Sequence, residues 1–229
     1  MSMSKRSQQI CIWSGPLGFA LFPLGIWPLA HFLPPLSPAA SAADIAAIYS
    51  DNTIGIRLGA MVVMFAASLF APFFAMISVM MKRIEGPIAP YALTQIITAT
   101  MVITCFFIGP MLFTVTAFRP ERAPELTQLM NDFAWIMFVT PAAPAFVQTL
   151  AIGFAILSDR SAVPILPRWS GYFSLWVAVL FLPGALAMMF KTGPFAWNGL
   201  LAFWVPAVLV GLWSNVMAFL MVKAVKRQA

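Results

Sequence analysis

Arg57 is the basic residue most deeply set among apolar neighbours, in the run Thr53-Ile54-Gly55-Ile56-Arg57-Leu58-Gly59-Ala60. Asp51 precedes it. A second acid, Asp132, ends a segment of matching pattern: Asp44-Ile45-Ala46-Ala47-Ile48-Tyr49-Ser50-Asp51 against Glu125-Leu126-Thr127-Gln128-Leu129-Met130-Asn131-Asp132. If the two aspartates hold equivalent depths, the guanidinium lies roughly 9 Å further along its helix at about 1.5 Å per residue. An arginine at the centre of a membrane helix costs about 2.5–3.5 kcal/mol on insertion scales, so its long stem is expected to snorkel outward. Such a charge suits the anionic head of a ligand at an outward-facing pocket. It suits equally an interfacial salt bridge to Asp51 or Asp132.

Two amides fall deeper. Gln148 and Asn215 each sit in a long apolar run, and a carboxamide in hydrocarbon needs a partner. Both are therefore expected to face other helices, either to hold the bundle together or to meet a ligand's hydroxyl or carbonyl. Pro141 and Pro144, just before Gln148, should kink that helix and free carbonyls nearby. A broken helix beside a polar residue points to a binding site. Trp135 and Trp197 stand near span ends, where they either anchor in the interface or stack on a ligand. His31, the one histidine, is placed to titrate near a helix end, although an interfacial histidine needs no such role.

Much chemistry is excluded. One histidine cannot supply the ligand sets of membrane desaturases or a bis-histidine haem. The chain has no HExxH zinc motif, phosphate-binding loop, dinucleotide glycine pattern or GxSxG elbow. No acid lies deep in an apolar run, which argues against a carboxylate proton relay at mid-membrane. Cys11 and Cys105 both lie in apolar runs with no metal-ligand spacing. Fifteen methionines suit copper(I) as soft ligands, but flexible packing in an apolar bundle accounts for them as well. No catalytic residue, metal or cofactor is assigned, and a non-enzymatic protein is expected.

The elements that position these residues follow from composition. Of 229 residues, 62% are hydrophobic and 9% charged, with a mean hydropathy of +0.91. A soluble domain carries about 25% charged residues. Apolar runs of membrane-crossing length separate the charges. Continuous rather than alternating hydrophobicity favours helices over barrel strands. Six spans are predicted, over 10–33, 54–81, 91–118, 133–157, 169–190 and 198–222, in one integral membrane domain.

The basic residues set the orientation. Lys5, Arg6, Lys82, Arg83, Arg160, Arg168, Lys223, Lys226 and Arg227 fall on one side, and Arg57, Arg119, Arg122 and Lys191 on the other. The positive-inside rule then puts both termini in the cytoplasm, in a bacterial-type inner membrane. The net charge of +6 is a topology signal and a contact for anionic lipid, not a nucleic-acid surface. Lys5-Arg6, an apolar run and Ala40-Ser41-Ala42 imitate a signal peptide. The run exceeds the ~7–15 residues of a signal core, so it is read as a retained first helix.

The spans pair into three helical hairpins, with a parallel pseudo-repeat about an axis along the membrane normal. The two acidic segments form short amphipathic helices at the outer tips, and Ser41 with Asp44 is a capping-box pattern. Odd-numbered spans carry Pro/Gly interruptions at Pro23 and Gly25, Gly109 and Pro110, and Pro183 and Gly184. Mitochondrial carriers also have three hairpins, but they place an acid and a base after each odd-helix proline. Here Pro23, Pro110 and Pro183 are followed by apolar residues, so their activity does not carry over. On the second span, Gly55 and Gly59 form a GxxxG pair for close helix contact. Arg57, Met61, Met64, Ser68, Ala71 and Ala75 form another stripe, expected to line a cavity or a neighbouring helix.

These features predict a small membrane protein that binds or transports an apolar or amphipathic, even anionic, small molecule or lipid. The competing expectation is a structural subunit docked on a membrane-protein partner or a second copy. An intramembrane lipid enzyme would have to use Asp132, Asp51, His31 or Arg57.

Overall fold

The computed structural model describes residues 4–227, with no strand among them. Helix α1 (Lys5–Leu24) runs into one π-helical turn (Gly25–Leu29). After an extended strap come α2 (Ala42–Asp51), α3 (Thr53–Glu85), α4 (Pro90–Ala117), α5 (Pro124–Val139) and α6 (Ala142–Ser158). Helix α7 (Arg168–Phe181) tightens into a 3₁₀ segment (Leu182–Met188), and a second π-helical turn (Leu200–Trp204) leads into α8 (Val205–Lys226). Six helical runs are long and apolar enough to cross a membrane: Lys5–Leu29, Thr53–Glu85, Pro90–Ala117, Pro124–Ser158, Arg168–Met188 and Leu200–Lys226. The chain is an all-helical, multi-pass membrane protein.

Packing follows the small residues. Helix α3 lies along α4 and α1, α6 along α7 and α4, and α1 also along α8. A Cβ on Gly59 would sit 2.3 Å from the Gly25 carbonyl oxygen, and one on Gly55 2.4 Å from that of Leu29. The GxxxG face of α3 thus seats the end of the first span, and Arg57 points away from it to the exposed side. The stripe expected to line a cavity or a neighbour lines no cavity and is largely exposed, although Arg57 reaches the Phe118 ring at the end of α4. Arg57, Met61, Ser68, Ala71 and Ala75 are exposed and Met64 is half-buried. Ser68 satisfies its hydroxyl on its own helix, at the Met64 carbonyl (3.0 Å), so it needs no neighbour.

The strap end of the bundle is pinned by side chains. Asn52 Nδ2 donates to the Leu29 carbonyl (2.9 Å), Trp197 Nε1 to that of Leu36 (2.8 Å), and Gln128 Nε2 to that of Ala40 (2.9 Å). Ser41 and Asp44 form the capping box that starts α2. Helix α2 packs on α5, where the buried Tyr49 donates to Asn131 Oδ1 (3.1 Å). Burial holds the Tyr49 phenol well above its ordinary range, so it remains a neutral donor.

At the opposite end, two acids close turns. The Glu85 carboxylate accepts from the N–H groups of Tyr91 (2.8 Å) and Ala92 (2.9 Å), capping α4. Burial opposes ionisation of Asp159. The Ser161 hydroxyl and the N–H groups of Ile165 and Ser161 outweigh it and hold the carboxyl below the ordinary carboxylate range.

The two acidic segments differ. The first is a separate helix, cut from α3 at Asn52 (φ −130°, ψ 37°). The second is the start of the fourth run, which begins at Pro124 rather than at 133 because no breaker lies between Asp132 and Phe133. Their buried faces differ too: Ile45 is 1% exposed, whereas its counterpart Leu126 is 52% exposed. Helix breaks also depart from the odd-span pattern. Helix α4 passes unbroken through Gly109-Pro110, while the fourth and sixth runs are irregular at Thr140-Pro141 and at Leu200–Trp204. Met76, Met80 and Met81 pack with Met217 and Met221 in one apolar core.

Candidate functional site

Between the six spans lies a cavity of about 330 Å³, at the lower end of the range for small-molecule sites. Every span contributes, and no charged side chain lines it. Four irregular segments converge here. Pro23 and Ile26 flank or occupy the first π turn, Pro141 and Ala142 border the fourth-span break, Gly184 belongs to the 3₁₀ segment, and Phe203 lies in the second π turn. Proline removes a backbone donor, and π or 3₁₀ geometry displaces the side chains that an α-helix would stack toward the axis. The walls are therefore set apart where four spans depart from α geometry together.

Aromatic side chains close one wall. Phe22, Phe106 and Phe138 contact one another with ring centroids 5.4, 5.5 and 6.1 Å apart. The buried polar groups of the wall are few. Thr149 Oγ1 donates to the Ala145 carbonyl (2.8 Å), Ser214 Oγ to that of Gly211 (3.1 Å), and Trp213 Nε1 to Ser174 Oγ (3.0 Å). Gln148 stands apart. It lines the cavity at 3% exposure, and its Nε2 is buried with no hydrogen-bond partner. An unsatisfied buried donor costs about 1–3 kcal/mol.

The other sequence candidates lie elsewhere. Arg57 is exposed and sits over the Phe118 ring, 5.2 Å from its centroid, rather than on a carboxylate. Asp51 is exposed at the end of α2. Asp132 is half-buried and accepts from Asn131 Nδ2 (3.4 Å). Trp197 is buried and spends its N–H on the strap. Trp135 is fully buried among Phe32, Phe113, Phe138 and Phe203. Asn215 does not face the bundle as expected. It is exposed, and its Nδ2 donates to the Gly211 carbonyl of its own helix (2.8 Å), which satisfies a donor without any neighbour. His31 is exposed, with φ 56°.

Of the candidate binding residues singled out by sequence, only Gln148 stands on the cavity wall, together with the interruptions Pro23, Pro141 and Gly184. The aromatic trio and the second π turn were not foreseen. Pro206, just past that turn and itself on the wall, was the signal for the sixth-span irregularity. Comparison with protein-family models, curated proteins and solved structures finds no match to this chain.

Proposed function

We propose that this protein binds one small, largely apolar molecule or lipid chain in the cavity among its six spans. The observation that carries the proposal is the cavity itself: about 330 Å³, walled by every span and lined almost wholly by apolar side chains. Burial of apolar surface supplies the affinity, at roughly 25 cal/mol per Å². The position of Arg57 outside the cavity removes the reason to assign an anionic head to this site. By the positive-inside rule we place the termini in the cytoplasm and the strap outside, with the spans paired as three hairpins in a bacterial-type inner membrane.

A fluorescent apolar probe, N-phenyl-1-naphthylamine, tests the proposal in protein held in mild detergent. Trp204 and Trp213 line the cavity and serve as energy donors. Saturable transfer at one probe per chain is expected, weakened at least tenfold by Ala145→Leu and unchanged by Arg57→Gln. Uptake indistinguishable from that of empty micelles, or unaffected by Ala145→Leu, would overturn the assignment.

A further inference from the structure

We propose that the ligand enters sideways from the bilayer, between the first and last spans, and is an uncharged chain bearing one hydrogen-bond acceptor, an ester or ketone carbonyl, that Gln148 receives. The inference rests on the binding function proposed above and assigns its route and ligand class.

The route follows from where the cavity wall is exposed. Three of its residues are: Pro23 on α1, Trp204 at the end of the second π turn, and Val208 on α8. Trp204 is 37% and Val208 64% exposed. Helices α1 and α8 touch closely at Phe19 and Gly211, where a Cβ on the glycine would lie 2.3 Å from the Phe19 ring. Pro23 lies one turn beyond Phe19, and Val208 nearly one turn before Gly211, both toward the strap end. There the two helices give way to the two π turns. The spans thus meet at Phe19–Gly211, whereas the π turn of the first span makes little contact with the second π turn or with α8. Val208 lies about 12 Å along its span at ~1.5 Å per residue, within apolar helix on both sides. The gap therefore faces acyl chains rather than water, while the strap end is held in place by the bonds of Asn52, Trp197 and Gln128.

The ligand class follows from the wall. With no charged side chain on the cavity, an ionised head would lose its hydration and find no counter-charge, which opposes its binding. The buried hydroxyls and the Trp213 N–H are already bonded within the protein. Gln148 Nε2 alone among the buried side-chain nitrogens of the wall is unspent. The last torsion of a glutamine is soft, so the amide can turn its N–H to an acceptor in the cavity. About 330 Å³ accommodates about eleven groups of water size, at ~30 Å³ each, which matches a chain of about twelve heavy atoms.

Displacement of N-phenyl-1-naphthylamine by dodecane, methyl decanoate and decanoate at pH 8, all of twelve or thirteen heavy atoms, tests this. The ester is expected to bind about five- to tenfold more tightly than dodecane, the worth of one hydrogen bond, with decanoate the weakest. Gln148→Leu, or Gln148→Met as the closest match in length, should abolish the ester's advantage while dodecane still binds. Val208→Trp should slow association of the ester severalfold without changing the ester-to-alkane ratio. Equal binding of ester and alkane, or a ratio that survives both Gln148 variants, would overturn the acceptor. Tight decanoate binding would overturn the neutral class, and unchanged association in Val208→Trp would overturn the route. Failure of the fluorescent probe itself to bind would instead sink the binding function on which this inference rests.

Discussion

Two regions meet at the Phe138 ring, with Phe203 also reaching both, and differ in how they are filled. On one side of the ring, Trp135 is sealed among Phe32, Phe113, Phe138 and Phe203, with centroids 5.1–6.4 Å from its own. On the other side, the same ring joins Phe22 and Phe106 in the wall of the cavity. Both regions are aromatic, so residue type does not explain why one is solid and the other hollow. Backbone regularity does. Helix α4 is unbroken past Gly109, where a Cβ would lie 2.9 Å from that of Phe138, so α4 and α5 approach closely and the rings interlock. Around the cavity, four spans leave α geometry where they line it, and the contacts of Phe22, Phe106 and Phe138 end at open space. Dense packing is thus a product of uninterrupted helices with a glycine at the contact, and hollowness of interruptions that coincide.

Emptying the solid region should have the largest effect. Trp135→Ala is expected to destabilise the protein by about 3 kcal/mol, the lower end for such truncations. The indole N–H, buried without a partner, is removed along with the ring. Chemical unfolding in detergent measures this, and a loss below about 1 kcal/mol would break the comparison.

At the polar edge of the same region, Tyr49→Phe should cost about 1 kcal/mol. Asn131 loses its buried donor while the ring packing stays. Amide exchange confined to α2 would report it, whereas exchange spreading to α5 would mean that the bond holds more than the tip helix.

Filling the hollow should matter least to stability. Ala145→Leu is expected to change unfolding by no more than about 1 kcal/mol, because the added carbons enter existing space instead of forcing neighbours apart. It should nevertheless weaken probe binding. A loss as large as that of Trp135→Ala would show that the two regions are packed alike.

The legible part of the site was a conflict between residue and surroundings. Gln148 is a carboxamide in a hydrocarbon run beside two prolines, and both the broken helix and the buried amide followed from that. Asn215 posed the same local conflict, and its sequence does not reveal that the Gly211 carbonyl, one turn away, resolves it at the exposed surface. Arg57 shows a related gap. Its depth could be counted along the helix, but the Phe118 ring that receives it comes from another span. The match between acidic segments was real as a string of residues. It did not carry the same buried face, because one copy ends in a break and the other continues into a span.

What the sequence determined by itself was the solvent and the class of element. Long apolar runs demand hydrocarbon, and backbone groups without water must bond within the segment, so helices follow and their number can be counted. Tertiary structure decided which polar groups meet and where space is left. Those outcomes depend on the rotation of each helix and on whether interruptions in separate spans fall at one level. No single segment encodes that coincidence, because hydrocarbon exerts nearly the same pull on every apolar face.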